Sequence, residues 1–363
     1  MSWTKVETPY NRLPDLPPNI DLESPAILKA AIEANRYLAE LKGYCQTLPN
    51  PDLLLNTIVL QESKDSSAIE NIVTTQDELY RAIINPLESQ SAAKEVISYR
   101  KAVYTGLKTL KDKPVFTGSL AVTIMQRVKS TNAGFRDLTG IKLANPITQK
   151  IIYTPPDPEH VADKIAAWEK FINSETEVDP LIVMALMHYQ FEAIHPFADG
   201  NGRTGRILNV LYLVHRELLT LPVLYHSAYI IQHKDDYYRK LRLVTEQEAW
   251  HDWILFMLQA VKETSVKTLK LIKDIMKLKE ETLQKMKAKE MSQKLPAYEL
   301  NELIFSFPYV KIKTLIEKNI AKRQTASVYL QQLTDKKILK SIKLGREVYY
   351  INHRLMNLLS ATV

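Results

Sequence analysis

His195-Pro196-Phe197-Ala198-Asp199-Gly200-Asn201-Gly202-Arg203-Thr204-Gly205-Arg206 gathers one imidazole, one carboxylate, three glycines and two arginines into twelve residues. Upstream, Leu181 to Ile194 is an apolar run without Gly or Pro, and downstream Ile207 to Val214 is again apolar at helical spacing. The stretch therefore reads as helix, loop, helix, with the glycines opening the second helix.

A helix N-terminus favours an anion, because its first N–H groups lack internal partners and the helix dipole is positive there. Gly200 and Gly202 let phosphate oxygens approach the backbone. Arg203 and Arg206, three residues apart, share a face of the emerging turn and can fork onto neighbouring phosphates. Asp199 is placed to hold a Mg2+ that bridges those phosphates. His195 remains as a general base for an attacking hydroxyl. Taken singly, these residues read as a helix cap, a turn and a solvated face. Their coincidence at one spacing argues for chemistry.

The stretch resembles the signature of the Fic-domain family, HPFx(D/E)GNGRxxR, with every position filled. The resemblance implies a mainly helical Fic fold and transfer of AMP from ATP to a Ser, Thr or Tyr hydroxyl of another protein. Carried over by residue, it makes His195 the base, Asp199 the Mg2+ ligand and Gly200, Asn201 and Gly202 the anion hole. Arg203 and Arg206 become triphosphate contacts, with Thr204 and Gly205 in the same nucleotide-binding segment. Members that transfer phosphate alter the glycine and arginine positions, and this chain does not.

With 363 residues, 45% hydrophobic and 25% charged, the chain has an ordinary globular composition and room for two or three domains. The single cysteine, Cys45, excludes an intrachain disulfide and a cysteine metal cluster. The Pro-rich start, Met1 to Asn19, has no signal-peptide core, and no run of about eighteen apolar residues predicts a membrane span. These features point to a cytoplasmic protein. The net charge of +7 is uneven: residues 262–363 hold 21 Lys and Arg against 10 Asp and Glu, leaving the rest slightly acidic. A basic tail on an acidic enzyme body suggests a second task with an anionic partner.

In chain order, Ser24-Pro25 supplies an N-cap and first-turn proline for a helix to about Lys42. Further helices are expected at Asp52 to about Glu62, Gln90 to Thr109 and Ser119 to Val128. From Gly134-Phe135-Arg136 to Tyr153-Thr154-Pro155-Pro156 the helical pattern breaks. Ile141 and Leu143, then Ile147, Ile151 and Tyr153, flank an Asn145-Pro146 turn signal and predict a hairpin. The resemblance implies that this hairpin is a flap beside the active site that pairs with the target protein. Tyr237-Tyr238 offers an aromatic face, and the family places an adenine-site residue near Tyr238. His188 and Glu192, four apart on one helix, read as core support rather than metal ligands.

Glu248 to about Glu290 is a long Lys-rich helix, read as core at its start and spacer at its end. Pro296 opens a terminal domain with helices at Glu299 to Phe305, Ile312 to Lys318 and Arg323 to Lys336. Strands at Ile338 to Lys343 and Val348 to Ile351, joined across Leu344-Gly345-Arg346, complete a winged helix-turn-helix. If it binds DNA, the helix from Lys322 and Arg323 faces the major groove and Arg346 on the wing lies near phosphate. Such modules also dock proteins or form homodimers, so DNA and protein partners both stay open. The expected division is a helical N-terminal region over 1–110, a Fic core over 111–261, a helical linker over 262–290 and the winged helix over 291–363.

Ser66-Ser67-Ala68-Ile69-Glu70-Asn71 resembles the family's inhibitory motif, (S/T)xxxE(G/N), on an expected helix over about 63–71. The resemblance implies that Glu70 occupies the guanidinium of Arg206 that should bind the γ-phosphate, with Ser66 and Asn71 completing the motif. Two other readings are a nucleotide-sensing DNA-binding regulator and the same site run backward, with Glu70 orienting water to remove AMP. An intact His195 favours an enzyme over a sensor.

Overall fold

The computed structural model describes residues 6–48, 52–84, 91–144, 148–174, 176–288, 295–344 and 347–360. The chain begins with helix α1 (Pro25–Gln46), α2 (Asp52–Ile69), α3 (Gln76–Ile84), α4 (Ser91–Asp112) and α5 (Gly118–Lys129). A hairpin of β1 (Leu143–Ala144) and β2 (Ile151–Tyr153) follows, then α6 (Pro158–Asn173), α7 (Pro180–Ile194) and α8 (Asn201–His215). Next come α9 (Ser227–Gln232), α10 (Lys234–Gln247) and α11 (Trp250–Lys287). The architecture is mainly α, as expected.

The centre is the pair α7 and α8. Asp179 caps α7 by accepting from the Leu181 N–H at 2.8 Å, and Pro180 fills its first turn. Almost every side chain of α7 is buried, which is why its sequence shows no polar face. Around this pair pack α4 and α5, α6, α2, α1 and α11. The predicted helices over 24–42, 90–109 and 119–128 correspond to α1, α4 and α5, whose ends differ from them by one to four residues. The predicted stretches over 52–62 and 63–71 form one continuous helix, α2, so Glu70 lies just past a helix end rather than on a separate helix.

The Lys-rich stretch read as a spacer is instead a packed helix. Thr264, Thr268, Leu271, Ile275, Leu278 and Thr282 are buried along α11 at alternating steps of four and three residues. Threonines fill three positions of that seam, so counting apolar residues made it look sparse. Their cost is small because Thr264 and Thr282 donate to the carbonyls of Ala260 and Leu278, at 2.6 and 2.7 Å. α1 lies along α11, burying Ile27, Ala31, Leu38 and Leu41.

The C-terminal part contains α12 (Ala297–Ser306), β3 (Tyr309–Val310), α13 (Ile312–Glu317), α14 (Arg323–Asp335), β4 (Lys340–Leu344), β5 (Glu347–Ile351) and α15 (His353–Ser360). Its sheet runs β3-β5-β4, antiparallel throughout. β3 and α15 were not anticipated: two residues are too short to show alternation, and α15 follows β5 with one residue between. The Gly345-Arg346 turn lies outside the described residues, as does Asn145-Pro146 with Ile147. This part seats on the N-terminal region. The Tyr309 ring stacks on Tyr80 at 5.7 Å and 8°, its hydroxyl donates to Asp77, and Gln76 Nε2 donates to the Leu359 carbonyl at 2.9 Å. No helix among the described residues is long and apolar enough to cross a membrane.

Candidate active site

His195 ends α7 in the left-handed conformation, φ 49°, with its N–H donating to the Phe191 carbonyl at 3.0 Å. The loop that follows is short and rigid. Asn201 reaches back across it, accepting from the Phe197 N–H at 2.9 Å and donating to the Phe197 carbonyl at 2.8 Å. Its amide is thus a loop brace, and only its backbone is left for an anion. Gly200 caps α8 at φ 86°, a conformation that a side chain would strain, and the α8 ladder starts with Thr204 N–H to the Gly200 carbonyl.

The first turn of α8 carries the expected charges, and each meets a partner from far away in sequence. Arg206 is fully buried. Its Nε donates to Ser66 Oγ, and its Nη2 to the Ser66 carbonyl and to Glu70 Oε1, all at 2.8 Å. A Cβ built on Gly202 would sit 2.3 Å from Glu70 Oε1, so the Glu70 carboxylate fills the space that the missing side chain leaves. Asn71, next in the chain, takes φ 62° and its Oδ1 accepts from Lys234 Nζ at 3.1 Å.

Arg203, also buried, donates through Nη1 to Glu95 Oε2 on α4 at 2.7 Å. Asp199 is the exposed member, 65% accessible at its side chain, and pairs with Lys129 Nζ on α5 at 2.6 Å. Burial pushes the Asp199 carboxyl up, but the Lys129 bond and charge with Arg203 nearby hold it below the usual range. Two residues of the segment face elsewhere. Gly205 packs on α7, where a Cβ would meet Glu192 Oε1 at 2.6 Å and the His188 ring at 3.3 Å, so its glycine permits close helix packing. The Thr204 hydroxyl is buried without a hydrogen-bond partner. His188 is a core residue, joined to the Tyr237 hydroxyl at 2.8 Å and stacked on Trp253. Tyr238 is 43% exposed and packs edge-on to Tyr237.

Burial lowers the His195 pKa to about 4, with the Glu192 carbonyl opposing and Arg136 assisting. The imidazole is therefore neutral at neutral pH, and Nδ1 lies 3.4 Å from the Glu192 carbonyl. Donation from Nδ1 there leaves Nε2 as the proton acceptor.

Several residues of the site carry no sequence signal. Arg136 is one: its Nε donates to the His195 carbonyl at 2.8 Å, its Nη2 to the carbonyls of Pro156 and Ile194, and its own N–H to the Pro196 carbonyl. Phe135 stacks on Phe197 at 5.7 Å, and the Tyr153 hydroxyl donates to the Ala193 carbonyl at 2.8 Å. The hairpin base and the motif loop are thus one unit. Arg136→Ala should lower stability by about 3 kcal/mol, since it strands buried carbonyls that a charged donor satisfied. Urea unfolding checks this, and a midpoint equal to the parent's would refute the anchoring. A second set fixes α2: Glu62 accepts from the Ser227 N–H at 2.8 Å and from its hydroxyl, and the Tyr225 hydroxyl donates to Asp65. Burial raises Glu62 to about 7.

Three family models match the chain: the Fic/DOC family N-terminal model over residues 28–108, the Fic/DOC family model over 118–213, and the C-terminal domain of SoFic-like protein adenylyltransferases over 278–355. A probable protein adenylyltransferase of Aquifex aeolicus is 28% identical over 181 residues, 48% of this chain and 54% of that one. Protein adenylyltransferase fic-1 of Caenorhabditis elegans is 35% identical over 81 residues, 21% of this chain and 16% of its own. The chain thus spans about half the length of the first of these relatives and less of the second. Among solved structures, a Fic family protein of Desulfovibrio desulfuricans superposes with a TM-score of 0.56 at 20% identity, covering 93% of this chain and 98% of that one. Fic-1 of C. elegans gives 0.53 at 19% identity, over 69% and 75%.

Proposed function

Given that the chain belongs to the Fic family, we propose that it transfers AMP from ATP to a Ser, Thr or Tyr hydroxyl of target proteins and of itself, restrained by Glu70. The observation that carries this is the Glu70 carboxylate lodged over Gly202 on Arg206, beside a neutral His195. An anion already rests at the helix N-terminus where a phosphate would. The rest of the site fits the same substrate: the bare backbone of Gly202 already admits a carboxylate, and Arg203 and Arg206 are buried, oriented guanidiniums. Asp199, the accessible carboxylate beside the helix N-terminus, would hold a magnesium ion once Lys129 gives way, and the ion would neutralise charge on the phosphate oxygens.

In the transfer, the target hydroxyl oxygen bonds to the α-phosphorus, the bond to the departing pyrophosphate breaks, and the hydroxyl proton passes to His195 Nε2. Tyr238, half-exposed next to the Arg206 region, closes the adenine side. The target segment adds to the hairpin β1–β2 through main-chain hydrogen bonds, a mode that tolerates varied sequences. The C-terminal helices and three-stranded sheet are compatible with a winged helix, and its excess of Lys and Arg supports a DNA or protein partner there. An unpaired buried Cys45 and a need for ATP and Mg2+ fit the cytoplasm.

Incubation with ATP labelled at the α- or the γ-phosphate in cell lysate tests the proposal. Label should reach protein only from the α position. Label from the γ position would assign phosphate transfer, and none from either position in a Glu70→Gly protein would reject the enzyme.

A further inference from the structure

Around the first turn of α8, four charges close a ring. Lys129 Nζ lies 2.6 Å from Asp199 Oδ2 and 3.7 Å from Glu95 Oε2; Glu95 Oε2 lies 2.7 Å from Arg203 Nη1; Arg203 Nη2 lies 3.8 Å from Asp199 Oδ1. Lys129 is not a loose surface lysine. Its side chain is 26% exposed, and its Cγ passes 3.2 Å from where a Cβ of Gly200 would stand, so the bare backbone of Gly200 makes room for the stem. The ammonium is delivered onto the one exposed carboxylate of the motif.

We propose that Lys129 is a resident cation that guards Asp199, holding its carboxylate until a divalent metal displaces the ammonium toward Glu95. This rests on the reading of Asp199 as the magnesium ligand and adds a residue that sets how readily the metal enters. An ammonium and a Mg2+ cannot both contact one carboxylate closely without strong repulsion. Lys129 rests on Oδ2 and Arg203 lies 3.8 Å from Oδ1, so a magnesium ion at either oxygen would meet a resident cation. Glu95, already within ion-pair reach, gives the displaced ammonium a second acceptor without leaving the site. Free metal is thereby disfavoured in the nucleotide-free protein, while a metal that arrives on a polyphosphate brings the anionic charge that compensates Lys129.

The test is Mn2+ binding to the nucleotide-free full chain, followed by the loss of the free-ion signal in electron paramagnetic resonance. Lys129→Met and Lys129→Gln should each tighten Mn2+ binding about tenfold or more, and Lys129→Arg, which keeps the cation, should stay near the parent. Adding Asp199→Asn to Lys129→Met should abolish the gain. Equal Mn2+ affinity in the parent and both neutral variants, or a gain that survives Asp199→Asn, overturns the guarding role. A parallel titration with Mn2+-ATP separates the two readings. If Asp199→Asn weakens Mn2+-ATP binding while the Lys129 variants change nothing, the metal assignment stands and the guard falls. If Asp199→Asn changes neither titration, both fall.

Discussion

Replacing His195 with Ala in a Glu70→Gly protein should cut AMP transfer by about 10²- to 10⁴-fold while ATP still binds, because the change removes a proton acceptor and leaves the phosphate cradle intact. Glu70→Gly is the background to use, since the proposed restraint by Glu70 would otherwise mask the loss. The backbone cost is small. His195 takes a left-handed φ of 49°, where Ala is disfavoured by about 1 kcal/mol, so a thermal melt should shift only slightly. Transfer measured with α-labelled ATP, beside calorimetric ATP binding, separates chemistry from affinity. A variant that labels at the undiminished rate would remove His195 from the mechanism.

The same residue sets an acid limit. Its folded pKa of about 4 lies below the ordinary histidine value, so the folded chain takes up this proton less readily than the unfolded one. Its contribution to stability is therefore present above about pH 6.5 and is lost as pH falls toward 4. The neutral, proton-accepting form persists over the whole neutral range. His195→Ala should accordingly unfold less steeply with acid than its parent.

Glu70→Gly should raise target labelling or self-labelling by AMP about ten- to a hundredfold. The Arg206 guanidinium is buried and the Glu70 carboxylate about one-third exposed, so the pair is partly shielded and breaking it shifts the site by a few kcal/mol at most. Each ~1.4 kcal/mol is tenfold in an equilibrium. Arg206 does not go slack when Glu70 leaves, because its bonds to Ser66 Oγ and the Ser66 carbonyl remain. A Glu70→Gly protein that binds ATP yet labels no faster than the parent would end the inhibitory assignment. If that variant instead lost an activity that removes AMP from modified protein, the reverse reaction would be the one Glu70 serves.

What the sequence made legible was local. The helix, loop and helix around residues 195–206 follow from glycine placement and apolar spacing within a short window, and Glu70 could be paired with Arg206 only through the resemblance, across 136 residues. Arg203–Glu95 and Arg136–His195 join residues 108 and 59 apart, and neither Glu95 nor Arg136 stands in a pattern that marks it for that contact. Lys129 reads as one more surface lysine until α5 brings it to Asp199. Asn201 and Gly205 mislead in the opposite direction. They belong to a phosphate-binding signature, but the Asn201 amide closes a loop and Gly205 lets two helices touch. The seam of α11 was hidden because threonine counts as polar in composition and as apolar in packing once its hydroxyl is satisfied by its own helix.

If Glu70 restrains the site as proposed, the end of α2 sets which part of it must move. The backbone at Glu70 is held by turn bonds, with the N–H groups of Glu70 and Ile72 both donating to the Ser67 carbonyl at 3.0 Å, and earlier in the same helix Asp65 and Glu62 are fastened to Tyr225 and Ser227. What is free to swing is one side chain. Rotamer changes of exposed side chains take picoseconds to nanoseconds; that of Glu70, one-third exposed, also requires one ion pair with Arg206 to break. On the proposed inhibition, the predicted tenfold to hundredfold restraint would correspond to a carboxylate that is away from Arg206 for roughly 1–10% of the time. On that reading, activity in the resting protein would be a matter of occupancy, adjusted continuously by any ligand that competes for Arg206.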